Sequence, residues 1–388
     1  MLTKKRTPKK IVYNKAASLK FLQSGEEYFE SLLAIIQNAQ TMIYLQVYTL
    51  DPDNTGNMII DALKQAVQRK VKVYVLVDAY GSKALGLKGI KQMQEAGIHC
   101  RRFSPIVFLK LRAGRRLHHK ITVADGNTAI IGGINISDKY RGDANNLPWL
   151  DFGIYVSGPV VMDLLRLCGR MYYPDHMPAS IKHMKKSVSP NGEYPVAVVH
   201  SDWFRRKNKI NHYFKEAIRE SEKDIIIICS YFIPSFRLIN LLKRASRRGI
   251  QVRLYLQGKS DIPIVRNATR YFYRIFFKHR MKIFEFPERI LHAKLWMVDD
   301  KVVSLGSFNF NHLSEYTSIE TNIQIAEAKF CATLREELEN IFEKYAIPIG
   351  EEIYLKKMSP LHRLRLWTSY TVTTVLMKLA FAFTSKSS

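Results

Sequence analysis

The sequence predicts an α/β protein made of two similar halves. Three observations carry that expectation. One polar pattern, H-x-K-x4-D-x6-G-[GS]-x-N, occurs twice without a gap, over residues 118–135 and 292–309, an offset of 174 positions. Ahead of each copy, helix-like and strand-like stretches alternate in the same order, as a duplicated α/β unit would. The 388 residues, 47% of them hydrophobic, suffice to bury two cores of ordinary domain size.

Residues 26–39 carry Tyr28, Phe29, Leu32, Leu33, Ile35 and Ile36 at helical spacing. A strand over 42–50, a turn at Asp51, Pro52 and Asp53, a helix over 56–69 and a strand over 71–77 follow. The second half repeats this plan: a helix over 211–220, a strand over 225–233 stopped by Pro234, a helix over 238–248 capped by Gly249, and a strand over 250–256. The joint falls near 187–194, where Ser, Pro, Asn and Gly cluster. The expected division is therefore a basic arm over 1–20, domains over 21–190 and 191–350, and a basic, apolar segment over 351–388.

Within each copy of the motif, apolar runs at 121–124 and 129–131, and again at 295–298 and 302–305, read as short buried strands. They are joined by hairpin turns at 125–127 and 299–301, which gives Asp125 and Asp299 a structural role. Residues two apart in a strand share a face, so His118 converges with Lys120, and His292 with Lys294. Spacing to Lys120 and Asp125 selects His118 over its neighbour His119.

Sixty Lys plus Arg against 34 Asp plus Glu leave a formal charge of +26, a field that draws nucleic acid or an anionic membrane alike. The four cysteines, Cys100, Cys168, Cys229 and Cys331, are scattered, which argues against a metal cluster or a disulfide framework. The basic N-terminus lacks the apolar run of a signal peptide. Two stretches, 106–116 and 267–283, interleave basic and aromatic residues, a composition suited to lipid headgroups or to single-stranded nucleic acid, with an amphipathic core helix as the alternative for the second. Residues 366–383 hold one charge, Lys378, and follow a basic run. That is short for a membrane span, but Leu361, Leu364, Val372, Val375, Leu376, Leu379 and Phe383 form a stripe. The segment reads as a helix lying in or dipping into a membrane, against the alternative of a last core helix.

Two imidazoles, two ammonium groups and two amides form a site for a phosphodiester. A neutral histidine suits attack on phosphorus, and a second can protonate the leaving alkoxide and deprotonate the incoming hydroxyl. Lys120 and Lys294, with Asn135 and Asn309, would hold the equatorial oxygens, so no metal and no cofactor is expected.

The paired motif resembles the double signature of the phospholipase D superfamily. The resemblance is closest to bacterial cardiolipin synthases, over roughly residues 20–345, and includes the stretches 115–140, 230–234, 259–261 and 304–309. It implies two phospholipase D-type α/β/α domains, each a mixed sheet flanked by helices, packed as a pseudo-two-fold pair with the active site at their interface. It further implies a metal-independent route through a phosphohistidine, with His118 as nucleophile by motif order. Family members carry a carboxylate at the positions of Asp151 and Glu320, which marks these as the groups orienting the imidazoles. Gly132, Gly133, Gly306 and Ser307 fall on structural positions of the motif. Gln46 departs from the pattern, standing where those enzymes commonly have a glutamate, and the N-terminal membrane helices of many members are missing.

The expected activity is condensation of two phosphatidylglycerol molecules to cardiolipin and glycerol at the cytoplasmic face of a bacterial membrane. Phosphatidylglycerol and other anionic lipids are the expected partners, and nucleic acid would bind only non-specifically. The alternatives are a phospholipase D, in which water resolves the intermediate, and a nuclease exploiting the charge. A non-catalytic lipid-binding scaffold fits least, because neither motif is degraded.

Overall fold

The computed structural model describes residues 11–104, 115–184, 194–202, 207–356 and 358–385. Two mixed sheets share one strand order. In the first half it runs Ser18–Gln23, Phe152–Ser157, Thr128–Gly132, Lys120–Ala124, Met42–Val47, Lys72–Asp78, His99–Phe103. In the second it runs Tyr194–Asp202, Ser318–Ile325, Val302–Gly306, Lys294–Val298, Asp224–Cys229, Gln251–Lys259, Lys282–Ile290. Both motif hairpins are antiparallel and central, and each lies against the parallel strands of its half.

The central strands carry continuous apolar runs because both faces are covered. In Asp224–Cys229, for example, every residue after the first is buried. Helices Glu26–Asn38 and Asn54–Gln68 close the outer face of the first sheet, and Lys209–Glu220 and Phe236–Arg247 that of the second. Two of these helices start where a side-chain acceptor caps them: Asp53 receives Gly56 N at 2.9 Å, and Ser235 receives Leu238 N at 3.4 Å. The inner faces, with helices Val161–Tyr172 and Ala328–Tyr345, pool Val123, Ile131 and Ile154 with Met297, Val303 and Ile323 in one core. The two halves therefore share a hydrophobic interior, which fixes their relation more firmly than a polar domain interface would.

Strands also cross between the halves. Arg116–Leu117 pairs in parallel with Ser318–Ile325, and Leu150 bridges to Leu291. Asn14–Ala16 pairs with Tyr194–Asp202 while Ser18–Gln23 edges the first sheet. The basic arm is accordingly shorter than the sequence suggested. Residues from Asn14 onward are tied down by ladders that the Lys-rich composition hides, and 1–10 lie outside the described residues.

The structure decides how two further segments pack. In the stretch 267–283, Phe272, Tyr273, Phe276 and Phe277 are buried, and Arg270 pairs with Glu285, so these rings form core rather than a headgroup surface. Its counterpart 106–116 lies outside the described residues up to 114. The C-terminal segment forms a helix, Pro360–Ser385, that packs on Pro263–Arg270 and His312–Tyr316 through Leu366, Ser369, Thr373 and Met377. Tyr370 stacks on Tyr271 with ring centroids 4.7 Å apart. The apolar stripe is the opposite face. Leu361, Leu364, Val372, Val375, Leu376 and Leu379 are all exposed, along with Trp367. Among the described residues no helix is long and apolar enough to cross a membrane.

Candidate active site

The site lies where the two motif strands begin. Each strand is entered through a short extended segment that hydrogen-bonds to the other half: His118 N donates to Ile319 O at 3.0 Å, and His292 N to Leu150 O at 2.7 Å. Each histidine is thereby carried next to a carboxylate of the opposite half. His118 Nδ1 is 3.0 Å from both carboxylate oxygens of Glu320, and His292 Nδ1 is 2.6 Å from Asp151 Oδ2. Both rings line one cavity of about 730 Å³, together with Asn135, Asn309, Tyr140 and Tyr231.

The remaining motif positions explain themselves locally. Asp125 and Asp299 sit in the hairpin turns with φ near 54° and 56°. The Asp125 carboxylate accepts from the backbone N–H groups of Gln40, Thr41 and Met42, and Asp299 from those of Glu222, Lys223 and Asp224. Each aspartate thus ties its hairpin to the start of the adjacent strand, Met42–Val47 or Asp224–Cys229. At Gly132 and Gly306 a Cβ would meet the neighbouring strand's carbonyl oxygen, Phe152 O at 2.4 Å and Thr321 O at 2.3 Å. At Gly133 it would lie 2.3 Å from Asp151 Oδ1, whereas Ser307 instead donates its hydroxyl to Glu320 Oε2 at 2.5 Å.

Lys120 and Lys294 are buried, and each Nζ donates to the carbonyl of its own histidine. Lys294 Nζ also stands 3.7 Å from Asp151 Oδ2. Burial, reinforced by Lys294, pushes Lys120 down to about 7, and burial lowers Lys294 as well. Burial also holds His118 below the usual histidine value, against the opposing pull of Glu320, and holds His292 well below it. Asp151 is pushed up to about 6 by the same loss of solvent. Asp151 and Glu320, with Asp78 and Asp261, raise the two lysines against this loss of solvent, and a bound phosphate would act in the same sense.

The Asn135 amide is fixed, its oxygen accepting from Thr49 N at 3.1 Å and its nitrogen donating to Tyr140 Oη at 2.9 Å. Asn309 accepts from Ser230 Oγ at 2.8 Å. His119 points away into the core, with Nε2 2.9 Å from Gln46 Oε1. Gln46 also donates to Cys168 O at 2.8 Å, a bond that a glutamate in its place could not make.

The motif does not announce the aromatic wall. Tyr140, Trp149 and Tyr231 surround His292 at ring-centroid distances of 5.4, 5.9 and 6.0 Å, and Tyr48 lies 5.1 Å from His118. Arg116, Ser137, Lys139 and Asp261 also line the cavity. Tyr140, Tyr231 and Asp261 fall in stretches singled out by resemblance, whereas Tyr48 and Trp149 carried no signal of their own.

Two sheets of one topology, each delivering an H-x-K strand to a shared cavity, define a phospholipase D-like protein. Residues 32–147 and 214–342 match the family described as cardiolipin synthase, PLD-like domain, and the chain belongs to that family. Cardiolipin synthase B of Salmonella typhimurium is 30% identical over 346 residues, covering 87% of this chain and 84% of that protein. Cardiolipin synthase B of Shigella flexneri is 29% identical over 360 residues, 90% and 86%. Cardiolipin synthase 1 of Staphylococcus epidermidis is 29% identical over 339 residues, 86% and 69%. Among solved structures, phosphatidylserine synthase of Haemophilus influenzae Rd KW20 superposes with a TM-score of 0.74 over 96% of this chain and 97% of its own, at 15% identity, a likeness of fold.

Proposed function

We propose that this chain is a phosphatidyltransferase of cardiolipin synthase type, working at the cytoplasmic face of a bacterial membrane. One phosphatidylglycerol donates its phosphatidyl group, and the headgroup hydroxyl of a second receives it. The observation that carries this reading is the crossed pairing of each histidine with the other half's carboxylate. With Nδ1–H donated to Glu320, neutral His118 keeps Nε2 free for phosphorus, and with Nδ1–H donated to Asp151, His292 presents to the leaving oxygen an Nε2 that carries a proton once the anionic substrate is bound.

His118 Nε2 attacks phosphorus, the bond to the glycerol oxygen breaks, and His292 protonates that oxygen as glycerol leaves. His292 then takes the proton from the second lipid's hydroxyl, whose oxygen bonds phosphorus as the P–N bond to His118 breaks. The products are cardiolipin and free enzyme. Lys120, Lys294 and the two asparagine amides stabilise the equatorial oxygens in both steps, and a bound phosphate keeps the lysines protonated. Positive charge supplied by lysine makes the chemistry metal-independent.

Lipid mass spectrometry after incubating the pure protein with phosphatidylglycerol vesicles tests this directly. Cardiolipin with stoichiometric glycerol is the expected result. Phosphatidic acid as the main product would make the protein a phospholipase D, and DNA cleavage faster than lipid turnover would make it a nuclease.

A further inference from the structure

Two stretches that resemble cardiolipin synthases, 230–234 and 259–261, take no part in the phosphoryl chemistry above. The structure joins them at the cavity wall. The Tyr231 hydroxyl donates to Asp261 Oδ2 at 2.6 Å, and both residues line the cavity. The Tyr231 ring stands edge-on to His292, centroids 6.0 Å apart and planes at 84°. In the same lining, Ser137 Oγ is buried and has no hydrogen-bond partner among the described residues.

A carboxylate is an odd neighbour for a phosphate. It can only accept hydrogen bonds, and it repels the anion that Lys120, Lys294 and Arg116 attract. Asp261 is exposed at the cavity wall and its partner here is a phenol rather than a cation, so its other lone pairs face solvent and are open to a donor brought by the substrate. The donors that arrive with a lipid headgroup are hydroxyls or an ammonium. An ammonium would enter a cavity already lined by Arg116 and Lys139 and backed by two buried lysines, whereas a neutral polyol meets no such repulsion.

We propose that the Tyr231–Asp261 pair, with Ser137 Oγ, is a polyol subsite beside His292 that binds the vicinal hydroxyls of a glycerol headgroup and selects the alcohol that resolves the covalent intermediate. This rests on the phosphatidyl-transfer reading. The subsite places the attacking hydroxyl near the histidine that takes its proton, so a charge-assisted hydrogen bond to a neighbouring hydroxyl becomes discrimination between alcohols.

The test offers wild type and Asp261→Asn a short-chain phosphatidylglycerol in detergent micelles, with deuterium-labelled glycerol, 1-propanol and ethanolamine competing at equal concentration, the label separating the glycerol product from the donor lipid. Mass spectrometry reads the phosphatidyl products. Wild type is expected to favour glycerol, and Asp261→Asn to lower the glycerol-to-propanol ratio about tenfold, the worth of one hydrogen bond to a charged group. Tyr231→Phe, which keeps the ring's packing, is expected to shift the ratio the same way by about threefold. An unchanged ratio in an active Asp261→Asn overturns this inference alone. A wild-type preference for ethanolamine that Asp261→Asn abolishes also overturns it, in favour of an ammonium subsite. A wild type that consumes no phosphatidylglycerol overturns the transfer reading and this inference with it.

Discussion

The two halves place equivalent histidines in unequal surroundings. His118 keeps 16% of its side chain exposed and meets one ring, Tyr48, while His292 keeps 7% and stands among Tyr140, Trp149 and Tyr231. Glu320 is held by the Ser307 hydroxyl, whereas Asp151 is held by Phe152 N at 2.8 Å and neighbours Lys294. Around His292 Nδ1 crowd Asp151 Oδ2 at 2.6 Å, Lys294 Nζ at 2.7 Å and Tyr140 Oη at 3.3 Å. Duplication thus supplies two copies of one device, and divergence of the lining separates their tasks. An open ring suits attack on an arriving phosphorus. A ring enclosed by polar and aromatic groups suits proton exchange with two successive alcohols.

The largest effects should come from the histidines themselves. His118→Ala and His292→Ala are each expected to lower turnover at least about 10³-fold, since each acts in both half-reactions. They differ in what they trap. With a donor bearing an activated leaving group, His292→Ala should accumulate a covalent phosphatidyl label on His118, seen by peptide mass spectrometry. A label on His292 in wild type would reverse the two roles, and near-normal turnover in both variants would end the shared-site account.

The carboxylates come next. Asp151→Asn is expected to cost roughly 10³-fold in kcat, because the amide turns the imidazole to the wrong tautomer and removes the counter-ion of Lys294. Glu320→Gln is expected to cost less, about 10²-fold, since Glu320 has no lysine as close. Equal losses would show that the asymmetry around the two rings carries no catalytic weight.

These pairings also mark how far the sequence could be read. The motif spacing located both histidines, both lysines and the shared α/β plan, because strand periodicity and a repeated register are local properties. That Glu320 serves His118 and Asp151 serves His292 is not local. It follows from Arg116–Leu117 pairing with the strand of Glu320, and from Leu150 bridging to Leu291, contacts across 202 and 141 residues that no period encodes. The same holds for Tyr231 and Asp261, 30 residues apart and joined only by the fold. The aromatic stretch at 267–283 misled because basic and aromatic interleaving fits a membrane face and a core helix equally well. Long-range packing distinguishes them: Tyr370 covers Tyr271 and Phe272, Phe232 packs on Phe276, and Tyr354 covers Tyr273 and Phe277.

A smaller effect separates free enzyme from complex. Neutral His118 is required for attack, and burial lowers its pKa, so kcat/KM should fall on the acid side only below the ordinary histidine value near 6.5. Lys120 must be protonated and is pushed down to about 7, so kcat/KM should fall again as pH rises through about 7. Bound phosphate raises that lysine, which moves the alkaline limb of kcat to higher pH. Lys120→Arg, which stays charged, should flatten the alkaline limb of kcat/KM in whatever activity remains. Coincident alkaline limbs for kcat and kcat/KM would place the controlling proton elsewhere.

The smallest effect concerns which half meets the membrane. The exposed apolar stripe belongs to the second half alone, because Pro360–Ser385 packs there, and its buried face includes Met377, which lines the cavity. Arg363, Arg365 and Lys378 lie on the same helix and are exposed, so cations accompany the apolar face. Among the described residues the first half offers only scattered apolar side chains, such as Tyr80, Leu87 and Leu147. Replacing Leu364, Trp367 and Leu376 together by Ala removes exposed side chains and leaves the packing residues in place, so the fold should stand. If the stripe enters the acyl boundary, anionic-vesicle binding should weaken about tenfold to a hundredfold, most clearly at high salt, where the Coulomb contribution is screened. Turnover of a micellar short-chain substrate should change little. Tyr80→Ala with Leu87→Ala should alter vesicle binding less than threefold by the same reasoning. Vesicle sedimentation of the two variants side by side decides it: equal weakening would mean both halves face the lipid, and no weakening in the first would mean the stripe is covered by something other than a membrane.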